Sequence, residues 1–324
     1  MKNPNNIAPS SSTVRIQTRK IPRISIVKAP SVLSLVNNPL ETLIFFRKVK
    51  KATKSLVPNG NLFFDLSAIA EVTVDAIMYF IATLKNTKRI KSLRIHCQGN
   101  FPSNSQSRVI FETCGFYEYV SVQSQYSYPK QNDKIKITRG KEANPILAGE
   151  ICSFVHSHST LNRIDTKFLY SMILELMTNT KQHAYNGNVS MDCNWYIFVE
   201  DLEDSLSFVF LDTGAGIPNT IRTKSFSEKI KNYFNFSDAS FIASAFRGDV
   251  LRSETKLSYR GRGLPEIYKR TANQYINSFL VISGFGKCVI MPNGEIKETN
   301  FANDLLGTLF CWKIKKEANN EFNY

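Results

Sequence analysis

Three polar side chains of types that bind metal ions and move protons recur at one helical spacing. Glu175, Asn179 and His183 stand at i, i+4 and i+8, so on a helix they would form one stripe. A carboxylate can take a proton, and oxygen atoms of carboxylates and amides are the ligands that hard cations such as Mg²⁺ prefer. The same segment carries apolar side chains at helical spacing: Phe168, Leu169, Met172, Ile173, Leu176 and Met177. The pattern predicts a helix whose polar side is part of a pocket wall.

Three glycine-containing turns follow this helix. Asp212-Thr-Gly-Ala-Gly-Ile-Pro218 comes directly after the strand pattern Leu206–Leu211. Arg260-Gly-Arg-Gly-Leu-Pro265 precedes a predicted helix from Leu264 to Arg270, and Gly307-Thr-Leu-Phe310 begins a strand. Glycine permits sharp turns and close approach of a ligand to the backbone. These turns are therefore candidates for the rest of the pocket.

In this order, the helix and the three turns resemble the GHKL nucleotide-binding fold, which includes histidine kinases and the serine kinases that act as anti-sigma factors. The resemblance covers roughly residues 146 to 317 and is nearest to the serine kinases, because Glu175 and the His-Ala-Tyr end of the helix match them. It implies that the chain binds ATP and Mg²⁺. By this resemblance the amide oxygen of Asn179 coordinates Mg²⁺, and Glu175 takes the proton of the attacking oxygen.

The resemblance also assigns the turns. Asp212 would accept a hydrogen bond from the adenine amine, Gly214 and Gly216 would make room for the base, and Thr308 would join the water network of Asp212. The other carried-over contacts, to phosphate, are His183, Gly261, Arg262 and Gly263. The polar and aromatic insertion at 219–259 fits the lid that closes over ATP in this superfamily. Its position between the Asp212 turn and the Arg260 turn is the basis of that expectation.

The N-terminal part has an alternating strand and helix pattern. Strands are predicted at Ile24–Val27, Asn61–Asp65 and Ser92–His96, with helices between and after them, and the run Phe64–Ile77 resembles a STAS domain, the fold of anti-sigma factor antagonists. Asp75 then falls where that family carries its phosphorylated serine. Its charge could imitate the phosphorylated form, or it could simply supply negative charge to the first turn of a helix.

The expected fold class is α+β: a C-terminal GHKL α/β sandwich with a mixed sheet and helices on one face, preceded by a smaller STAS-like α/β domain. We expect a disordered tail at 1–20, the STAS-like regulatory domain at 21–140, the GHKL domain at 146–317 and a tail at 318–324.

The amino-acid composition argues against several other classes of protein. No run approaches the roughly 20 apolar residues of a membrane span, and the first residues lack an apolar signal region, so a cytoplasmic protein is expected. Six scattered cysteines support neither a zinc site nor a disulfide framework. The net charge of +14 is concentrated at the N-terminal end, where residues 1–58 hold eleven Lys and Arg against the single Glu41. Nucleic acid or an acidic protein could use this charge, but a nucleic-acid motif is not recognised.

The function expected from the sequence is Mg·ATP binding with ATP hydrolysis or serine/threonine phosphorylation, regulated by the STAS-like domain. A protein partner is expected, and a homodimer is compatible with the resemblance. The alternative is a non-catalytic switch in which ATP controls protein interaction. A clamp-type ATPase that dimerises on nucleic acid is a third reading, which the basic N-terminal end favours.

Overall fold

The structure of the protein is a computed structural model that describes residues 24–119, 133–161, 163–182, 191–224, 236–249, 263–271 and 276–316. These residues form a mixed architecture of helices and several β-sheets, as the α+β class requires. Within the described ranges, no helix combines the length and apolar composition needed to cross a membrane.

The N-terminal part is built around a small parallel sheet. Three strands pair in the order β1-β3-β5, and a second parallel pair is β2-β4. The elements are β1 (Ile24–Lys28), β2 (Val32–Leu33), α1 (Pro39–Ser55), β3 (Asn61–Asp65), β4 (Glu71–Val72), α2 (Val74–Asn86), α3 (Lys88–Ser92), β5 (His96–Gly99), α4 (Ser105–Thr113) and α5 (Phe116–Tyr119).

Five of these ten elements, β1, α1, β3, α2 and α4, lie where the sequence predicts them, and one predicted strand is displaced. The third strand begins at His96, whereas the sequence predicts it at Ser92–His96. Residues 88–92 form the short helix α3, and Arg94 turns the chain with a φ of 50° before the strand can start. The strand prediction was therefore wrong by about its own length.

The C-terminal part is built around a larger sheet. Its elements are β6 (Lys134–Gly140), α6 (Pro145–His158), α7 (Arg163–Gln182), β7 (Trp195–Asp201), β8 (Ser205–Asp212), α8 (Ile217–Lys224), α9 (Asp238–Arg247), α10 (Gly263–Thr271), β9 (Ile276–Ile290) and β10 (Ile296–Lys315). Five strands pair in the order β6-β7-β8-β10-β9. The first of them, β6, comes from within the range assigned by sequence to the N-terminal domain.

Every pairing in this five-stranded sheet is antiparallel, where the sequence predicts a mixed sheet. Short turns account for two of the four pairings, because a strand that follows its neighbour after a short turn pairs with it antiparallel: β7 with β8 and β9 with β10. Strand β9 continues through Gly284, where the sequence predicts two separate strands at Phe279–Ser283 and Lys287–Met291.

Both faces of the large sheet are covered. Trp195, Ile197 and Val199 of β7 pack in one apolar cluster with α6, α7, α9 and α10. The alternate residues Tyr196 and Phe198 pack in a second cluster with α1 and α2. Because successive side chains of a strand point to opposite faces, apolar residues at every position of β7 require two covering layers. The N-terminal helices therefore share a core with the C-terminal sheet.

Candidate functional site

A row of polar side chains crosses three strands of the large sheet. Asp212 on β8 is the register partner of Thr308 on β10, and Thr308 in turn is the partner of Ser283 on β9. The hydroxyls of Ser283 and Thr308 are 3.0 Å apart, and all three residues are buried. Asp212 and Ser283 follow the apolar residues of their strands that face α7, and Thr308 precedes those of the antiparallel β10, so the row lies at one end of that face.

Asp212 is the electrostatically unusual member of the row. It is only 8% exposed. Its Oδ1 accepts a hydrogen bond of 2.6 Å from the backbone N–H of Gly214. Burial nevertheless raises the pKa of its carboxyl to about 7, because the ionised form loses its hydration. The site thus contains a buried acceptor that is close to half-ionised at neutral pH, suited to a ligand that brings hydrogen-bond donors.

Ser283 links the turn after Asp212 to β10. Its hydroxyl donates to the carbonyl oxygen of Gly307 at 2.8 Å and accepts from the backbone N–H of Ile217 at 3.0 Å. The sequence analysis missed this residue. The available signal was a single polar residue at the end of the apolar run Phe279–Ile282, directly before a glycine.

Glycine is required at two of these positions. Gly307 has a φ of 94°, and a Cβ there would lie 1.9 Å from the carbonyl oxygen of Asp212. Gly216 has a φ of 83°, and its Cβ would lie 2.8 Å from the Ser283 hydroxyl. The turn after Asp212 is therefore pressed against β10, and any side chain at Gly216 would meet Ser283 and Gly307.

We expect Gly307→Ala to lower the free energy of unfolding by about 3 kcal/mol, because it combines a left-handed backbone with a clash against main-chain atoms. Urea denaturation followed by circular dichroism measures this change. Gly149→Ala is the matched control: Gly149 lies in α6 with no atom within 4 Å of the added Cβ. Since alanine favours helix, this control should leave stability unchanged or raise it by about 0.5–1 kcal/mol. Equal effects of the two substitutions would contradict the close packing at Gly307.

A second group of predicted residues lies on α7 and α10. Asn179 Nδ2 lies 3.5 Å from Glu175 Oε1, as the i, i+4 spacing predicts. At the first residue of α10, a Cβ on Gly263 would lie 2.4 Å from Cγ of Glu175 and 2.5 Å from its Oε1. Gly263 therefore lets the N-terminus of α10 approach the Glu175 side chain. Both Glu175 and Asn179 are partly exposed, while the neighbouring Leu176 and Met177 are buried.

Three of the predicted phosphate contacts, His183, Gly261 and Arg262, lie outside the described residues. Within the insertion at 219–259, the helix α9 does not have the exposed position expected of a lid. Helix α9 packs against β9 through Ala239, Ile242 and Phe246, all of them fully buried. Its apolar residues recur at helical spacing, so this stretch of the 219–259 insertion belongs to the core.

The surroundings of Asp75 do not suit the hypothesis that its charge imitates a phosphorylated serine. The side chain is 3% exposed, and its carboxylate accepts from the backbone N–H groups of Leu35 at 2.6 Å and Val36 at 3.3 Å. Burial raises the pKa of this carboxyl. An imitation of a phosphorylated serine would need an accessible charge, so the structure favours an internal role, holding the segment between β2 and α1.

A buried polar network connects the N-terminal part to the residue next to Asp212. Asn86, at the end of α2, donates from Nδ2 to the Thr213 hydroxyl at 3.2 Å and accepts from the Tyr196 hydroxyl at 3.2 Å. The Thr213 hydroxyl donates to the carbonyl oxygen of Asp192 at 2.7 Å, and the Asp192 N–H donates to the Asn86 carbonyl at 2.8 Å. The network fixes the Thr213 position against α2.

We expect Asn86→Ala to lower the free energy of unfolding by about 1–3 kcal/mol, because it removes the buried acceptor of the Tyr196 hydroxyl and one of the hydrogen bonds of the Thr213 hydroxyl. Asn303→Ala is the comparison: within the described ranges its side chain accepts from Arg47 at 3.0 Å, and because Arg47 is exposed to water this substitution should cost less than about 1 kcal/mol. Thermal and urea denaturation of both variants provide the measurement. A larger loss for Asn303→Ala would show that the Asn86 network contributes little to the fold.

Comparison with known proteins adds no family assignment: no protein-family model and no curated protein sequence matches this chain. Among the described residues, groups of three or more His, Cys, Asp or Glu placed to hold a metal ion are absent.

Proposed function

We propose that the chain binds Mg·ATP on the α7 side of the large sheet and acts as an ATPase or serine/threonine protein kinase of the anti-sigma type. The observation that carries the proposal is the buried Asp212 carboxyl beside Thr308 and Ser283, with a glycine turn directly after it. Adenine carries an amine that can donate a hydrogen bond to such a carboxyl. The GHKL-like motifs stand in the same order along the chain and support the same assignment.

In this proposal α7 supplies the groups for the phosphate end. Asn179 would hold Mg²⁺ through its amide oxygen, and its contact with Glu175 engages the amide nitrogen instead, so the oxygen fits this use. Bound Mg²⁺ would neutralise charge on the phosphates. Glu175 accepts the proton of the attacking hydroxyl, from water in hydrolysis or from a partner's Ser or Thr in protein phosphorylation. The N-terminus of α10, at Gly263, offers backbone N–H groups to an anion.

A second candidate function is a non-catalytic switch, in which nucleotide binding changes what the STAS-like N-terminal part presents to a partner. The buried network from Asn86 to Thr213 favours it, because α2 is hydrogen-bonded to the residue that follows Asp212. A ligand that repositions Asp212 would act on this contact.

The test measures nucleotide binding and then follows the γ-phosphate of bound ATP. Binding of ATP and of GTP is measured by calorimetry with Mg²⁺ and, as the control, with excess chelator, and γ-labelled ATP is then followed into free phosphate and into protein. Selective, Mg²⁺-dependent ATP binding with label transfer supports the enzyme. Binding with all label retained on the nucleotide supports the switch. No ATP binding at millimolar concentration overturns the site.

A further inference from the structure

A cavity of about 120 Å³ lies on the face of the large sheet opposite to the proposed nucleotide site. Its apolar walls come from Phe46 and Tyr79 of α1 and α2, from Met191 before β7 and from Leu306 of β10. The rings of Phe46 and Tyr79 meet edge to face, with centroids 4.6 Å apart. These residues pack with the cluster that joins the N-terminal helices to the sheet, so the cavity opens at the seam between the two parts of the chain.

The rim of this cavity is cationic. Arg47, Lys50 and Lys54 of α1 line it, and Arg89 of α3 adds a fourth positive side chain. Their spacing of three and four residues places the α1 cations on one side of that helix. Among the described residues that line the cavity, Asp304 is the one with a carboxylate. Its Oδ2 lies 3.7 Å from Lys50 Nζ, and both side chains are about 40% exposed. A partly exposed pair of this kind is weak, so the rim keeps a net positive charge.

Arg89 has a structural task as well. Its guanidinium donates to the carbonyl oxygens of Thr53 and Lys54, each at 3.0 Å, which are the last carbonyls of α1. It therefore fixes the end of the helix that carries Lys54. The backbone from which Lys54 extends is thereby held, while the Lys50 and Lys54 side chains are exposed.

The size of the cavity distinguishes between occupants. Small-molecule sites are typically about 300–1,000 Å³, so a space of about 120 Å³ is better matched to one apolar side chain. Protein interfaces use such anchors, seated in a pocket and surrounded by polar contacts. Nucleic acid would also be attracted by the cations, but it has no apolar side chain that could enter the cavity.

We propose that this cavity is the docking site for an acidic peptide segment of a partner protein. One large apolar side chain of the segment enters between Phe46, Tyr79 and Leu306. Carboxylates on either side of that anchor pair with Lys50, Lys54 and Arg47. This site does not depend on the nucleotide and assigns a use to part of the basic N-terminal charge.

The probe is a fluorescein-labelled synthetic peptide of twelve residues, with one central Leu flanked by Glu and Asp, titrated with the full chain. A peptide with Ala at the centre and a single-stranded oligonucleotide of the same charge are the comparisons. Lys50→Gln with Lys54→Gln should weaken binding of the Leu peptide by about tenfold, from the loss of two charge contacts at a partly exposed rim. Lys48→Gln with Lys51→Gln is the matched control, since both residues are exposed on the same helix and do not line the cavity.

Two further readouts make the result decisive. Thr83→Leu narrows the cavity from α2 and should abolish the preference for the Leu peptide over the Ala peptide, while thermal denaturation verifies that the variant is folded. Equal binding of the Leu and Ala peptides, or equal weakening by the two lysine pairs, would overturn the proposal in favour of unspecific charge attraction. Stronger binding of the oligonucleotide with the same dependence on Lys50 and Lys54 would overturn it in favour of nucleic acid.

Discussion

Asp212→Asn should weaken Mg·ATP binding and at the same time stabilise the fold at alkaline pH. The binding loss is expected to be about 10- to 100-fold, the worth of one hydrogen bond to a charged group. Asparagine keeps the shape and an oxygen that can accept from Gly214, so a packing defect does not explain the loss. Calorimetric titration with ATP measures the affinity, and the stability effect follows from the pKa.

The sign of the stability effect comes from proton binding. The folded-state pKa of Asp212 is raised from 3.8 to about 7, so between these values the folded protein holds a proton that the unfolded chain has released. Each pH unit in that window lowers the free energy of unfolding by at most about 1.4 kcal/mol, and the loss ends above pH 7. From pH 5 to pH 8, wild type should therefore lose up to about 3 kcal/mol relative to Asp212→Asn. The contribution of Asp75 is common to both proteins and cancels.

Asp65→Asn is the control, because the ionised Asp65 carboxyl stabilises the folded protein whereas ionisation of Asp212 destabilises it. Hydrogen bonds from Ser67 and Asn100 lower the pKa of the Asp65 carboxyl, so its stabilising contribution is present above the unfolded pKa and is lost on acidification. This variant should lose stability at neutral pH and retain ATP affinity. If Asp212→Asn and wild type show parallel stability curves from pH 5 to pH 8, Asp212 is not a buried, protonated group.

The elements that the sequence predicts well are those with a local signal. Helix α7 follows from its apolar spacing, and Glu175 and Asn179 meet because that spacing fixes which side chains share a face. Asp212 and Thr308, far apart along the chain, were named together through the motif resemblance, and they are register partners in the large sheet. The decisive interactions of α7 lie inside a short segment, whereas this pairing joins two distant ones.

The elements that were missed or misassigned depend on distant partners. Asn86 reaches Thr213 across 127 positions, and no pattern around either residue indicates the contact. Helix α9 was taken for part of a lid because of its position between the Asp212 turn and the Arg260 turn, whereas tertiary packing buries its aromatic residues. One signal was available: β7 and β8 are apolar on both alternating faces, which requires a second covering layer, here α1 and α2.

Glu175→Gln is expected to lower the rate of phosphoryl transfer by about 10²- to 10⁴-fold, the usual contribution of a general base. ATP affinity should change by less than about threefold, because the interaction lost is one made in the transition state. Glutamine preserves the side-chain shape against Gly263, so the contact between α7 and α10 survives. Single-turnover assays with γ-labelled ATP give the rate, and calorimetry gives the affinity. Glu150→Gln, on the exposed side of α6, is the matched control and should leave both values unchanged.

Gly263→Ala tests whether Glu175 must lie in its present place, because it displaces the carboxylate without removing it. The added Cβ would meet the Glu175 side chain within 2.4–2.7 Å, and the end of a flexible side chain can move aside more easily than backbone can. The carboxylate is then present but displaced, so we expect a slower transfer with a smaller loss of stability than Gly307→Ala produces. If Gly263→Ala retains the wild-type rate while Glu175→Gln does not, the carboxylate acts without needing this position. If neither substitution changes the rate, Glu175 is not the base, and the interaction switch becomes the better explanation of the site.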